Sequence, residues 1–203
     1  MRTGIYGGTF SPPHIGHIGA AKAFSEQMQL DELLVIPTAV PPHKEVGYRD
    51  EPEARLNMCR IAFSGIKNAE VSDIEIKRGG KSYTVLTLRE LAKKGRELYL
   101  LCGTDMILTL DSWFCADEIF SLCTPVGIRR ENDPETSERL SAKLAEYKER
   151  FGVEIPFITA KAVEISSSEL RRKISSGEPV GDFLTDEIKD YIRKNGLYGG
   201  STE

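Results

Sequence analysis

Thr3-Gly4-Ile5-Tyr6-Gly7-Gly8-Thr9-Phe10-Ser11-Pro12-Pro13-His14-Ile15-Gly16-His17 opens the chain with a short apolar run, a double glycine and the first turn of a helical pattern. Thr3 to Tyr6 reads as a buried strand, and the apolar period from Ile15 to Met28 reads as a helix. The same alternation continues downstream. Strands are predicted at Leu33–Pro37, Glu70–Ile76, Leu98–Cys102, Thr124–Ile128 and Ile155–Ile158. Helices are predicted at Pro52–Ser64, Thr84–Lys93 and Ser137–Arg150, with Ser167–Ser176 and Thr185–Lys194 closing the chain. A loop rich in proline and charge separates the second strand from the second helix, over Thr38–Glu51.

Short apolar strands alternating with helices imply an α/β chain: a doubly wound, Rossmann-like parallel sheet with helices on both faces. A short helical C-terminal region follows, at about 166–203, within a single domain spanning 1–203. Such sheets bind ligands at the carboxyl ends of their strands. Chemistry is therefore expected just after Tyr6, Pro37, Cys102 and Ile158.

Composition narrows the function classes. With 203 residues, 40% hydrophobic and 29% charged, the chain can bury a real core. A net charge of −4 lacks the basic footprint of a nucleic-acid binder. No apolar run is long enough to span a bilayer, and no signal-peptide pattern opens the chain. Cys59, Cys102, Cys115 and Cys123 form no C-x-x-C pair, and read as reduced thiols in the cytoplasm. The sequence leaves a homo-oligomer open.

The segment from Gly7 to His17 has the chemistry of a phosphate site. Glycines allow close backbone approach and supply N–H donors. A helix N-terminus adds partial positive charge where a phosphate would sit. His14 and His17, two of the three histidines, share a helical face. Two imidazoles there can donate to a pentavalent phosphorus centre, and Gly16 leaves room for adenine or ribose. Gly79-Gly80-Lys81-Ser82 hints at a P-loop, but Glu75 occupies the place of its first glycine, so it reads as a turn. Ser166 to Arg171 offers a second cradle of hydroxyls, helix N–H groups and a planar guanidinium. Lys44, after two prolines, can neutralise a phosphate.

These residues resemble a known family. His14-x-Gly16-His17 is similar to the H-x-G-H signature of the nucleotidyltransferase superfamily, and the fuller loop resembles that of bacterial nicotinate-mononucleotide adenylyltransferases. Pro41-Pro42-His43-Lys44, Ser82-Tyr83-Thr84, Gly103-Thr104-Asp105 with Trp113, and Ile165-Ser166-Ser167-Ser168-x-x-Arg171 match further segments in the family's order. Ser11, Leu86 and Ser168 depart from it, standing where aspartate, aspartate and threonine are usual.

The resemblance implies transfer of AMP from ATP to nicotinate mononucleotide, with Mg2+ carried mainly on the ATP phosphates and no dedicated metal ligands. It implies an ATP site of Gly7, Gly8, Thr9, Phe10, His14, Gly16, His17, Gly103, Asp105, Ile165, Ser167, Ser168 and Arg171. Lys44, Thr84 and Trp113 are implied on the mononucleotide side, with Trp113 stacking on the pyridine ring. His14, His17, Lys44 and Arg171 are the expected catalytic groups. Neither nucleic acid nor membrane is an expected partner. The competing readings are a helix N-cap for Asp105 and a core position for Trp113.

Rivals remain. A phosphopantetheine adenylyltransferase has the same loop, but the Pro-Pro-His-Lys and Ser-Tyr-Thr segments and the greater length oppose it. A nicotinamide-preferring enzyme is opposed only by the resemblance. Residues 14–17 also spell His-Ile-Gly-His, as in class I aminoacyl-tRNA synthetases, but the chain is short and has no Lys-Met-Ser-Lys-Ser loop. A non-catalytic nucleotide sensor is opposed by the intact His14, His17 and Arg171.

Overall fold

The computed structural model describes residues 1–41, 51–93, 95–129, 134–161 and 163–199. The strands are β1 (Arg2–Gly8), β2 (Glu32–Pro37), β3 (Ala69–Val71), β4 (Glu97–Gly103), β5 (Thr124–Arg129) and β6 (Phe157–Thr159). They form one sheet in the order β3-β2-β1-β4-β5-β6, and every adjacent pair is parallel. The order reverses direction between β1 and β4. At such a switch point the connecting chains leave in opposite directions and open a crevice at the carboxyl ends.

The helices are α1 (Ile15–Gln27), α2 (Pro52–Phe63), α3 (Ile74–Arg78), α4 (Thr84–Ala92), α5 (Thr104–Ile107), α6 (Ala116–Leu122), α7 (Pro134–Phe151), α8 (Ser167–Ser175) and α9 (Asp186–Lys194). Alternation hidden inside the apolar strands sorts them onto two faces. Leu33, Val35, Tyr99 and Leu101 meet Phe24 of α1, Phe63 of α2, Leu170 of α8 and Ile188 of α9. Leu34, Ile36, Leu98, Leu100 and Cys102 meet Leu88 of α4, Ile107 of α5, Ile119 of α6 and Tyr147 of α7. The α/β, Rossmann-like expectation is met, with helices on both faces.

The predicted strand over Glu70–Ile76 is corrected. Pairing with β2 ends at Val71, where Ser72 N–H still reaches the Val35 carbonyl, and Ile74 to Arg78 turn as a helix instead. Glu75 is buried there, its Oε1 accepting from the Thr87 hydroxyl at 2.7 Å. The spacing of Ile74 and Ile76 imitates a strand period, and burial of Glu75 against α4 overrides it. Helices α5 and α6, between β4 and β5, have no counterpart in the sequence reading, because runs of four and seven residues are too short to show a period.

Candidate active site

The loop between β1 and α1 is held by aromatic packing. Phe10 takes a left-handed conformation (φ 50°), which costs a side-chain-bearing residue roughly 1–2 kcal/mol. Its ring is buried, edge-on to Tyr6 and His17 at 5.2 Å each and to Phe63 at 5.7 Å. Burying a phenylalanine returns about 1.5–3 kcal/mol, so the strained turn is held in place.

The two histidines close the loop onto the helix. His14 is the N-cap of α1. The Gly16 N–H donates to His14 Nδ1 at 3.2 Å, and the His14 N–H donates to His17 Nδ1 at 3.2 Å. This is a capping box built from imidazoles, satisfying two donors that a helix start leaves over. The ring centroids lie 3.8 Å apart. Each Nδ1 accepts a backbone N–H, so the N–H that each ring can offer a ligand is the one on Nε2. A Cβ on Gly16 would stand 3.0 Å from His14 Nδ1 and Cε1 and 3.3 Å from Val163 Cβ, so glycine is required for the pair to close.

A cavity of about 160 Å3 lies at the switch point, lined by Tyr6, Gly7, Gly8, Phe10 and His17, by Leu101, Gly103 and Met106, and by Ile128. His17 reaches this wall; His14 is buried as the cap and is not part of the lining. A Cβ on Gly7 would meet nothing within 4 Å, so that backbone faces open space. Gly103 is the N-cap of α5, so Asp105 is not a capping residue. Asp105 instead folds back, its Oδ1 2.6 Å from where a Gly103 Cβ would be.

Helix α8 docks onto the same loop. Arg171 Nη1 donates to the Ser11 carbonyl at 2.6 Å, and its Nη2 donates to Ser168 Oγ at 3.1 Å. The Ser167 hydroxyl donates to the Pro12 carbonyl at 3.0 Å, and Ser166 Oγ caps the helix by accepting from the Glu169 N–H. Ile165 packs against the core cluster beneath. The Ser11 hydroxyl lies 3.2 Å from the Tyr198 hydroxyl, so the departure at position 11 still carries a polar contact. Two loops 160 residues apart in sequence thus share one set of hydrogen bonds.

Residues 5–173 match the cytidylyltransferase-like family. A probable nicotinate-nucleotide adenylyltransferase of Desulfatibacillum aliphaticivorans is 33% identical over 98% of this chain and 100% of its own length. One from Lactiplantibacillus plantarum is 35% identical over 97% of this chain and 88% of its own length. The chain belongs to the nicotinate-nucleotide adenylyltransferase family. The same fold occurs in the Plasmodium falciparum nicotinic acid mononucleotide adenylyltransferase complexed with NaAD, at a TM-score of 0.74 and 19% identity, covering 100% of this chain and 99% of that one.

The other residues expected of this adenylyltransferase family fall as follows. Thr84 is the first residue of α4, and Trp113 is half-buried against the α4–α7 core after a short 3-10 turn, Leu110–Ser112. Tyr83 and the exposed Phe114 bring the two segments together, ring centroids 4.8 Å apart. Lys44 lies outside the described residues, as does His43. Among the described residues no group of three or more His, Cys, Asp or Glu side chains is placed to hold a metal ion, and no helix is long and apolar enough to cross a membrane.

Arg55 belongs to no sequence motif, yet the fold brings it to the site. It is 3% exposed, on α2, and its guanidinium reaches both the β1 loop and the β2 loop. Its only signal is an arginine at the head of the apolar face of a helix, followed by Leu56, Met58 and Cys59 in the buried set.

Proposed function

We propose that the chain transfers the adenylyl group of ATP to nicotinate mononucleotide, giving nicotinate adenine dinucleotide and pyrophosphate on the route to NAD. A 5′-phosphate oxygen of the mononucleotide attacks the α-phosphorus of ATP. The new P–O bond forms as the bond to the bridging oxygen of the β-phosphate breaks, and pyrophosphate leaves with that electron pair. The nucleophile is already an anion, so no strong base is needed. Positioning and charge stabilisation carry the rate.

On this reading the Gly7-Gly8-Thr9-Phe10 loop and Gly16 make room for ATP, and Gly103 and Asp105 meet its adenosine. The Nε2–H groups of His14 and His17 stabilise charge growing on the α-phosphate. Arg171, Ser167 and Ser168, with Ile165 beneath them, hold the outer phosphates. Lys44, Thr84 and Trp113 serve the mononucleotide, Lys44 on the strength of sequence alone. Mg2+ enters with ATP as part of the substrate and neutralises its charge. Residues 1–203 act as one nucleotidyltransferase domain, since Leu170, Leu184, Ile188 and Ile192 share a core cluster with Tyr6 and Val35. The chain works in the cytoplasm, and assembly of copies is compatible with this site.

The observation that carries the proposal is the interlocked His14–His17 pair beside a cavity at the β1–β4 switch point. The deciding experiment measures pyrophosphate release from ATP with nicotinate mononucleotide, nicotinamide mononucleotide and phosphopantetheine. Preference for the acid mononucleotide is expected, and preference for either alternative would replace this reading.

A further inference from the structure

Arg55 is absent from the cavity lining. Two of its bonds go to backbone carbonyls of the loops that carry the assigned residues. Nη1 donates to the Thr9 carbonyl at 3.0 Å and reaches the Thr38 hydroxyl at 3.5 Å, while Nη2 donates to the Ala39 carbonyl at 3.1 Å. Thr9 lies between Gly8 and Phe10, which both line the cavity. The two loops are also joined directly, the Thr38 N–H donating to the Gly8 carbonyl at 2.9 Å.

Ala39 is held from its other side as well. Its N–H donates to the Ser82 hydroxyl at 2.8 Å, and the Ser82 N–H donates to the Val40 carbonyl at 2.9 Å. Ser82 is buried and stands two residues before Thr84. A continuous chain of bonds therefore runs from Thr9, through Arg55 and Ala39, to the start of α4.

We propose that Arg55 is a positioning residue, setting the distance between the ATP loop after β1 and the mononucleotide side at the start of α4. The inference rests on the reaction assigned above. An arginine is needed because its planar fork meets two carbonyls at once; a lysine ammonium keeps the charge but loses the fixed geometry. In-line displacement is steep in distance, since a misplacement of about 1 Å can cost about 100-fold in rate. Each substrate would still find its own loop. What is lost is their mutual alignment, which appears in kcat rather than KM.

The test compares the full chain with Arg55→Lys, Ser82→Ala and the double variant, using MgATP and nicotinate mononucleotide and following pyrophosphate release and Tm. Arg55→Lys is expected to lower kcat by about 100-fold, with both KM values little changed at a temperature where the variant is folded. Ser82→Ala removes the other tether on Ala39 without disturbing a buried charge. It is expected to lower kcat in the same sense but less, and it carries the test alone if Arg55→Lys does not fold. The double variant is expected to lose less than the product of the two factors, because both act through Ala39. Native kcat in the folded variants, loss that tracks only unfolding, or strictly multiplicative effects would overturn the inference. A native chain that releases no pyrophosphate would instead overturn the assigned reaction, and this inference with it.

Discussion

Replacing Gly16 with alanine should separate activity from stability in a way that few substitutions near an active site do. Gly16 is the second residue of α1. A glycine-to-alanine change in a helix gains up to about 1 kcal/mol from propensity. Against that, the new Cβ would sit 3.0 Å from two atoms of the His14 ring, where ordinary carbon contacts lie at about 3.5–4.0 Å. The ring must retreat by about half an ångström. It has little room, with the tilted His17 ring at 3.8 Å, and the new Cβ cannot swing away because Val163 Cβ stands 3.3 Å from it. The cheapest movement takes Nδ1 off the Gly16 N–H and dissolves the cap, a loss of about 1 kcal/mol. The two terms nearly cancel, so Tm should stay close to native. Turnover should not, because His14 no longer holds its place beside His17; with a misplacement of about 1 Å costing about 100-fold, a shift of half that size should cost about 10-fold. Thermal unfolding and pyrophosphate release on the same preparation test both halves. A variant with native Tm and native turnover would refute the claim that the closed imidazole pair performs the chemistry.

His17→Ala should leave the fold intact and lower kcat by about 10²–10³-fold, the scale of removing one charge-stabilising donor; near-native turnover would remove His17 from the mechanism. Gly103→Ala should displace Asp105 and raise KM for ATP while leaving KM for the mononucleotide unchanged, and a rise confined to the mononucleotide would reassign Asp105. Asp111 offers a pH test of stability rather than of turnover. Burial opposes its charged form, but hydrogen bonds from Lys143 and Tyr147 prevail and hold its carboxyl below the ordinary aspartate value. A depressed folded pKa means its stabilisation is complete above the unfolded value of about 3.9 and is lost as pH falls below it. Asp111→Asn should therefore flatten the acid limb of stability below that value, and an unchanged acid limb in urea unfolding would exclude the assignment.

Much of this was legible because the relevant physics is local. The Gly7-Gly8 break and the His-x-Gly-His spacing lie within one loop and one helical turn, so period and residue type suffice to place a phosphate site there. The helix start at Ser166 has the same character, since its cap needs only the three residues that follow. Glu70 to Ile76 misled because an alternating apolar pattern does not reveal how far an edge strand stays paired. Helices α5 and α6 were silent because neither is long enough to repeat.

What the amino-acid order settled by itself was the alternation of strand and helix, and the chemistry packed between Gly7 and His17, since both depend on neighbours within a few positions. Only the tertiary structure decided that Arg171 reaches back to Ser11, that each imidazole caps the helix through Nδ1, and that a buried Arg55 ties Thr9 to Ala39. Those pairings join segments up to 160 positions apart, or depend on a bond angle and a close approach. A linear pattern has no term for either.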